Sequence, residues 1–164
     1  MKKVIGFGDF MLRLNPHGYL RFLQANEFEV NYTGAEANVC VSLALMGVNA
    51  ALVTKVPEND IARAGIAEMR KFGVDVSHVA WGGPRIGVFY AEKGASQRPS
   101  KIVYDRAGSS FATCSPDDFD WDAIMKGASN FHMTGITPAL SKTMPEVCLK
   151  ALEAAKAHGL TVSC

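Results

Sequence analysis

Neither sign of charge is in excess in this sequence: 17 Lys and Arg stand against 16 Asp and Glu, a net charge of +1. Bulk attraction to a polyanion or an anionic membrane is thereby excluded, and any charge-based recognition must be local. No nucleic acid and no membrane are expected as partners. Apolar runs are short. None approaches the roughly 20 residues of a membrane-spanning helix. Asp9 also interrupts Val4-Ile5-Gly6-Phe7-Gly8 too early for a secretory leader. Cys40, Cys114, Cys148 and Cys164 form no CxxC pair and no zinc spacing with His17, His78, His132 and His158. Reduced, mostly buried thiols in a cytoplasmic protein are expected, and no metal site. Phosphate-loop signatures are missing as well. Gly6-Phe7-Gly8 meets Met11 where a dinucleotide fingerprint needs its third glycine, and neither GxxxxGK[ST] nor GxSxG occurs.

What is there is a globular composition. Of 164 residues, 48% are hydrophobic and 20% charged, enough for one domain with a substantial core. Two kinds of strand alternate with helices. Lys3–Asp9, Ala50–Val56, Phe131–Thr134 and Leu160–Cys164 are short apolar runs, the pattern of buried parallel strands. Met11–Leu14 and Glu27–Tyr32 alternate apolar and polar residues, and Arg85–Glu92 and Lys101–Arg106 read as a strand pair joined by a polar loop. Helices are expected over Glu36–Met46, with Val39, Leu43 and Met46 on one side, over Ile61–Phe72, and over Thr143–His158. Gly47, Gly73 and Gly159 would close them in the left-handed conformation. Ser115-Pro116-Asp117-Asp118 reads as a helix start. The fold class is therefore α/β: a parallel sheet covered by helices, with a small β-sheet beside it. Leu160–Cys164 is expected to be a buried strand with no helix after it. A truncated chain, or a half that needs a partner, is therefore expected.

Three places offer chemistry. Asp9 follows the first strand, and open α/β sheets bind ligands outside the carboxyl ends of their strands. A carboxylate there can accept from substrate hydroxyls; a turn or cap role is the alternative. Gly34-Ala35-Glu36-Ala37-Asn38 opens a helix whose first amides lack intrahelical partners. Gly34 permits close approach, the alanines leave room, and Asn38 can donate and accept. An ordinary capped helix, with Glu36 favoured by the dipole, explains the same residues. Tyr90, Tyr104, Asp105 and Arg106 lie on the accessory strands. Arginine suits a carboxylate or phosphate and tyrosine offers an apolar face with a hydroxyl tip, but for each alone an exposed ion pair or a packed aromatic is the commoner role.

Gly34-Ala35-Glu36-Ala37-Asn38 followed by Leu45-Met46-Gly47 resembles the N-terminal signature of the ribokinase (PfkB) family of sugar kinases. Tyr104-Asp105-Arg106-Ala107-Gly108-Ser109-Ser110-Phe111, His132 to Leu140, Pro57-Glu58-Asn59 and Gln97-Arg98-Pro99-Ser100 resemble those members that act on 2-dehydro-3-deoxy-D-gluconate. The resemblance covers residues 1–164. It implies a three-layer α/β domain with a β-sheet lid, formed by strands near 10–33 and 85–106 and often shared across a homo-oligomer. It implies ATP-dependent phosphorylation of an acid sugar, usually with Mg²⁺. Asp9, Gly34, Ala35, Glu36, Ala37 and Asn38 would hold the sugar, with Tyr90, Tyr104, Asp105 and Arg106 on the lid and Arg106 facing the carboxylate. The family's catalytic aspartate sits in a Gly-Ala-Gly-Asp motif that this sequence does not contain, so no catalytic residue is expected in this chain. Thr33 and Ala62 stand where the family has glycines, and Thr33 stiffens the turn. Another sugar kinase of the family, such as a fructokinase, and a non-catalytic sugar-binding or assembly module are the alternatives.

Overall fold

The computed structural model describes residues 3–164. Its central sheet has four parallel strands in the order β10 (Thr161–Ser163), β9 (Ala128–His132), β1 (Lys3–Phe7), β4 (Ala50–Val53). Side chains alternate across the sheet, so β4 feeds two cores. Ile5, Phe7, Ala51, Val53 and Phe131 pack under α3 (Trp121–Met125) and α4 (Met144–Ala157). Ala50 and Leu52 pack on the other face under α1 (Ala35–Leu45) and α2 (Asp60–Lys71). The result is three layers. Phe7 is the hub of the first core, with its ring 5.3 Å from Phe111, 5.4 Å from Phe119 and 5.1 Å from Trp121.

A second sheet stands apart, in the order β3 (Glu29–Thr33), β2 (Met11–Asn15), β7 (Gly87–Glu92), β8 (Lys101–Asp105). β2 runs antiparallel to β3 and parallel to β7, and β7 and β8 form a hairpin. The chain enters this accessory sheet directly after β1 and leaves it through Gly34 into α1. The two sheets therefore meet at the carboxyl end of β1.

Several expectations need correction. Ala50–Val56 is two strands: β1 ends opposite Val53, and β5 (Lys55–Val56) pairs instead with β6 (Ala80–Trp81). The fully buried face of α1 is Glu36, Ala37 and Cys40; of the expected Val39, Leu43 and Met46, Leu43 packs partly buried against the second core, whereas Met46 is 76% exposed. Small side chains face the sheet here because the helix lies close upon it. Ser115 starts only a 3₁₀ turn over Pro116–Asp118, whose Asp118 carboxylate accepts from the Ser115 N–H at 2.7 Å. The helix proper, α3, is capped by Asp120, which accepts from the Ala123 N–H at 3.1 Å. β10 is exposed along its length, because it is an outer strand with β9 as its one neighbour. Gly47, Gly73 and Gly159 do close their helices, at φ of 78°, 81° and 71°.

Two ion pairs fasten the periphery. Lys3 bonds Asp75 at 2.8 Å. Burial opposes the Asp75 charge, but Lys3 and Ser77 outweigh it and hold the carboxyl down at about 2. Lys55 bonds Asp118 at 2.6 Å, tying β5 to the 116–118 turn. Burial pushes the Cys40 and Cys114 thiols up to about 12 and Cys148 to about 11, so these are packing residues rather than nucleophiles. Among the described residues, no helix is long and apolar enough to cross a membrane.

Candidate active-site cleft

β4 lies on one side of β1 and β9 on the other, so the chain's direction of winding reverses at the carboxyl end of β1. Crevices at such a reversal are where open α/β sheets bind ligands. A cleft of about 440 Å³ lies there, between the two sheets. Asp9, Gly34, Ala35, Glu36 and Asn38 form its floor and rim, and Met11, Thr33, Phe89, Tyr104 and Arg106 descend from the accessory sheet.

Gly34 is extended, with φ −177°, so its backbone angles demand no glycine. The reason for glycine is steric: a Cβ here would collide with the carbonyl oxygen of Asp9. That close approach joins the exit of β1 to the entry of α1. It sets the open first turn of α1 beside Asp9.

Asp9 is 4% exposed, and neither of its carboxylate oxygens has a hydrogen-bond partner within the described residues. Its nearest charge is Arg106 Nη1 at 3.6 Å, a charge contact longer than a hydrogen bond. Burial pushes the Asp9 carboxyl up to about 6; Arg106 pulls against that, and Glu36 adds to it. A buried acceptor left unpaired is unfavourable by about 1–3 kcal/mol. A ligand hydroxyl that donates to it recovers that energy. Arg106 is preset for an anion. Its guanidinium lies 4.6 Å from the Tyr104 ring centroid, with Nη1 turned to Asp9, so ring and carboxylate together hold it at the cleft.

Glu36 does something the sequence did not disclose. It is 1% exposed, and its Oε1 accepts from the Thr134 N–H at 2.8 Å, the Thr134 hydroxyl at 2.7 Å and the Thr137 hydroxyl at 3.0 Å. It therefore clamps the start of α1 to the loop after β9, which carries Ile136 into the cleft wall.

Three expected residues lie elsewhere. Ala37 is fully buried against the sheet, one position round the helix from the rim. Tyr90 packs on Phe28, with ring centroids 6.0 Å apart. Adjacent residues of a strand face opposite ways, so it is Phe89 that enters the cleft, paired across the hairpin with Tyr104. Asp105 likewise alternates away from Tyr104 and Arg106 and bonds Arg85 at 2.9 Å. Phe89, Met11, Thr33 and Ile136 escaped the sequence reading. Only the β7–β8 register could have singled out Phe89.

A larger groove, about 670 Å³, lies between the 116–122 segment and α4. Asp117, Asp120, Asp122 and Glu153 outnumber Lys150 in its lining, and it is distant from the strand ends. An acidic surface of that kind repels an anionic ligand. No group of three or more His, Cys, Asp or Glu among the described residues is placed to hold a metal ion.

Known proteins share this architecture. The chain superimposes on a crystal structure of 2-dehydro-3-deoxygluconokinase from Thermotoga maritima with a TM-score of 0.98 and 49% identity, over 100% of this chain and 50% of that one. It is 36% identical to a 2-dehydro-3-deoxygalactonokinase of Haloferax volcanii, over 98% of this chain and 50% of the relative. It is 31% identical to a 2-dehydro-3-deoxygluconokinase of Thermoproteus tenax, over 95% of this chain and 48% of the relative. The chain thus spans about half the length of the curated relatives it matches. The profile of the pfkB family carbohydrate kinases matches residues 1–164, and the chain belongs to that family.

Proposed function

We propose that this chain is the sugar-binding portion of an ATP-dependent kinase for 2-dehydro-3-deoxy-D-gluconate. The observation that carries the reading is the pairing in one cleft of a preset cation, Arg106, with a buried unpartnered acceptor, Asp9. An acid sugar presents the complement of both. Its carboxylate suits the guanidinium edge, and its hydroxyls donate to Asp9. Tyr104 and Phe89 give its carbon chain apolar walls, and Asn38 and the first amides of α1 meet the remaining oxygens. The residues of this chain bind and orient the sugar, which is much of what phosphoryl transfer asks of a protein. The described residues do not fit ATP or Mg²⁺: they supply neither a phosphate loop nor a metal-holding cluster. Those groups, and the base that takes the hydroxyl proton, would be held by protein beyond these residues. This chain alone is therefore expected to bind sugar without phosphorylating it.

The accessory sheet would then serve as a lid. Its outer strand β8 exposes Ile102, Val103 and Tyr104 at 49%, 45% and 55%, an apolar edge suited to a second copy of the chain.

The test is calorimetric titration with 2-dehydro-3-deoxy-D-gluconate, its galactonate epimer and fructose. The epimer is included because of the Haloferax relative's name. Both acids are expected to bind the wild type more tightly than fructose, and Arg106→Ala should erase that preference. Equal weakening of acid and neutral sugars by Arg106→Ala would remove the acid-sugar assignment.

A further inference from the structure

Thr33 closes β3 at the rim of the cleft, and the structure gives its side chain a partner. The Thr33 hydroxyl donates to Asn38 Oδ1 at 2.8 Å, across the rim of the cleft. Both ends of this bond are held. Thr33 is the last residue of β3, paired with Met11, and its β-branched side chain has few rotamers. Asn38 is fixed in the first turn of α1, its backbone N–H bonded to the Gly34 carbonyl at 2.8 Å. A hydroxyl has one proton to give. Spent on Oδ1, it leaves the two N–H groups of the Asn38 amide free.

In the opposite orientation the hydroxyl would accept from the amide, and the amide oxygen would join the unpartnered Asp9 carboxylate as a second acceptor lining the cleft. The observed orientation gives the cleft a donor as well as that acceptor. That pair suits a hydroxyl, which donates with its proton and accepts with its lone pairs.

We propose that Thr33 is a positioning residue that locks the Asn38 amide with its NH₂ toward the cleft, so that Asn38 reads the sugar as a donor only. The proposal rests on the cleft being the sugar site. Two readouts separate its failure from the failure of that reading.

The first needs no ligand. In ¹⁵N-labelled protein, the Asn38 side-chain NH₂ signals are identified by their loss in Asn38→Ala. A single sharp pair from one rotamer is expected in wild type and in Thr33→Ser, and broadened or doubled signals in Thr33→Val. Signals in Thr33→Val identical to wild type would overturn the lock. The second is affinity for 2-dehydro-3-deoxy-D-gluconate. Thr33→Val should weaken binding by roughly five- to tenfold, the equivalent of about one hydrogen bond. Thr33→Ser should stay close to wild type, and Thr33→Val combined with Asn38→Ala should bind no worse than Asn38→Ala alone. Independent, multiplying losses would overturn the proposal. A wild type that binds no acid sugar refutes the sugar reading, and the ligand-free signals then decide Thr33 by themselves.

Discussion

Asp9 shows how one residue can be placed against its own preference. Its ordinary carboxyl value of 3.8 rises to about 6, chiefly through burial. The folded state therefore holds the proton more tightly than the unfolded chain, and stability falls as pH climbs through that window. Wild type is expected to lose about 2–3 kcal/mol relative to Asp9→Asn between pH 4 and pH 7. Urea unfolding at both pH values measures it, and a constant difference would contradict the burial argument. The place of Asp9 in the cleft was legible from its position after a strand, and that of Arg106 through the Tyr104-Asp105-Arg106 resemblance rather than from its charge alone. Tyr90 was not, because a strand's two faces are indistinguishable until its register is known. Phe89 and Tyr90 are both aromatic; only their pairing with Tyr104 and Val103 tells them apart.

At the scale of elements, α1 is held by a carboxylate. Replacing Glu36 with alanine strands the Thr134 N–H and two threonine hydroxyls. Glu36→Ala is expected to destabilise the fold by about 2–4 kcal/mol, and Glu36→Gln, which keeps an acceptor oxygen, by clearly less. Denaturant midpoints of the two variants test this, and equal losses would show that the three bonds do not matter. The helix itself was plain in its apolar spacing and its closing Gly47, but its buried face was not. Apolar spacing pointed to Val39, Leu43 and Met46, of which Leu43 does pack on the core, whereas close packing on the sheet fully buried Glu36, Ala37 and Cys40. A buried acid has no periodic signature, since its partners, Thr134 and Thr137, lie about a hundred residues away. β4 and β5 looked continuous for a related reason: where one strand stops depends on where its neighbour stops.

On the scale of the whole molecule, two cores share one sheet, and Phe7 joins four aromatic rings of the first. Phe7→Ala is expected to cost about 3–5 kcal/mol, readable as a large drop in the denaturant midpoint; a loss under about 1 kcal/mol would contradict a tightly packed hub. The alternation of buried strands and helices made this layered plan readable in advance. The two-sheet arrangement was readable too, because strands with one wet face cannot belong to a sheet covered on both sides. The cleft is the product of that arrangement. β1 delivers Asp9, α1 delivers Asn38, and the accessory sheet delivers Arg106 from nearly a hundred residues away. If the exposed β8 edge pairs with a second copy, sedimentation should show a dimer that Ile102→Lys dissociates; a monomeric wild type would remove that part of the account. The central claim is that these residues converge on an acid sugar. A crystal structure of the chain grown with 2-dehydro-3-deoxy-D-gluconate tests it most directly. The account predicts the sugar carboxylate on the Arg106 guanidinium, with a hydroxyl on the Asp9 carboxylate and Asn38. A sugar bound outside the cleft, or inside it with its carboxylate turned away from Arg106, would contradict it.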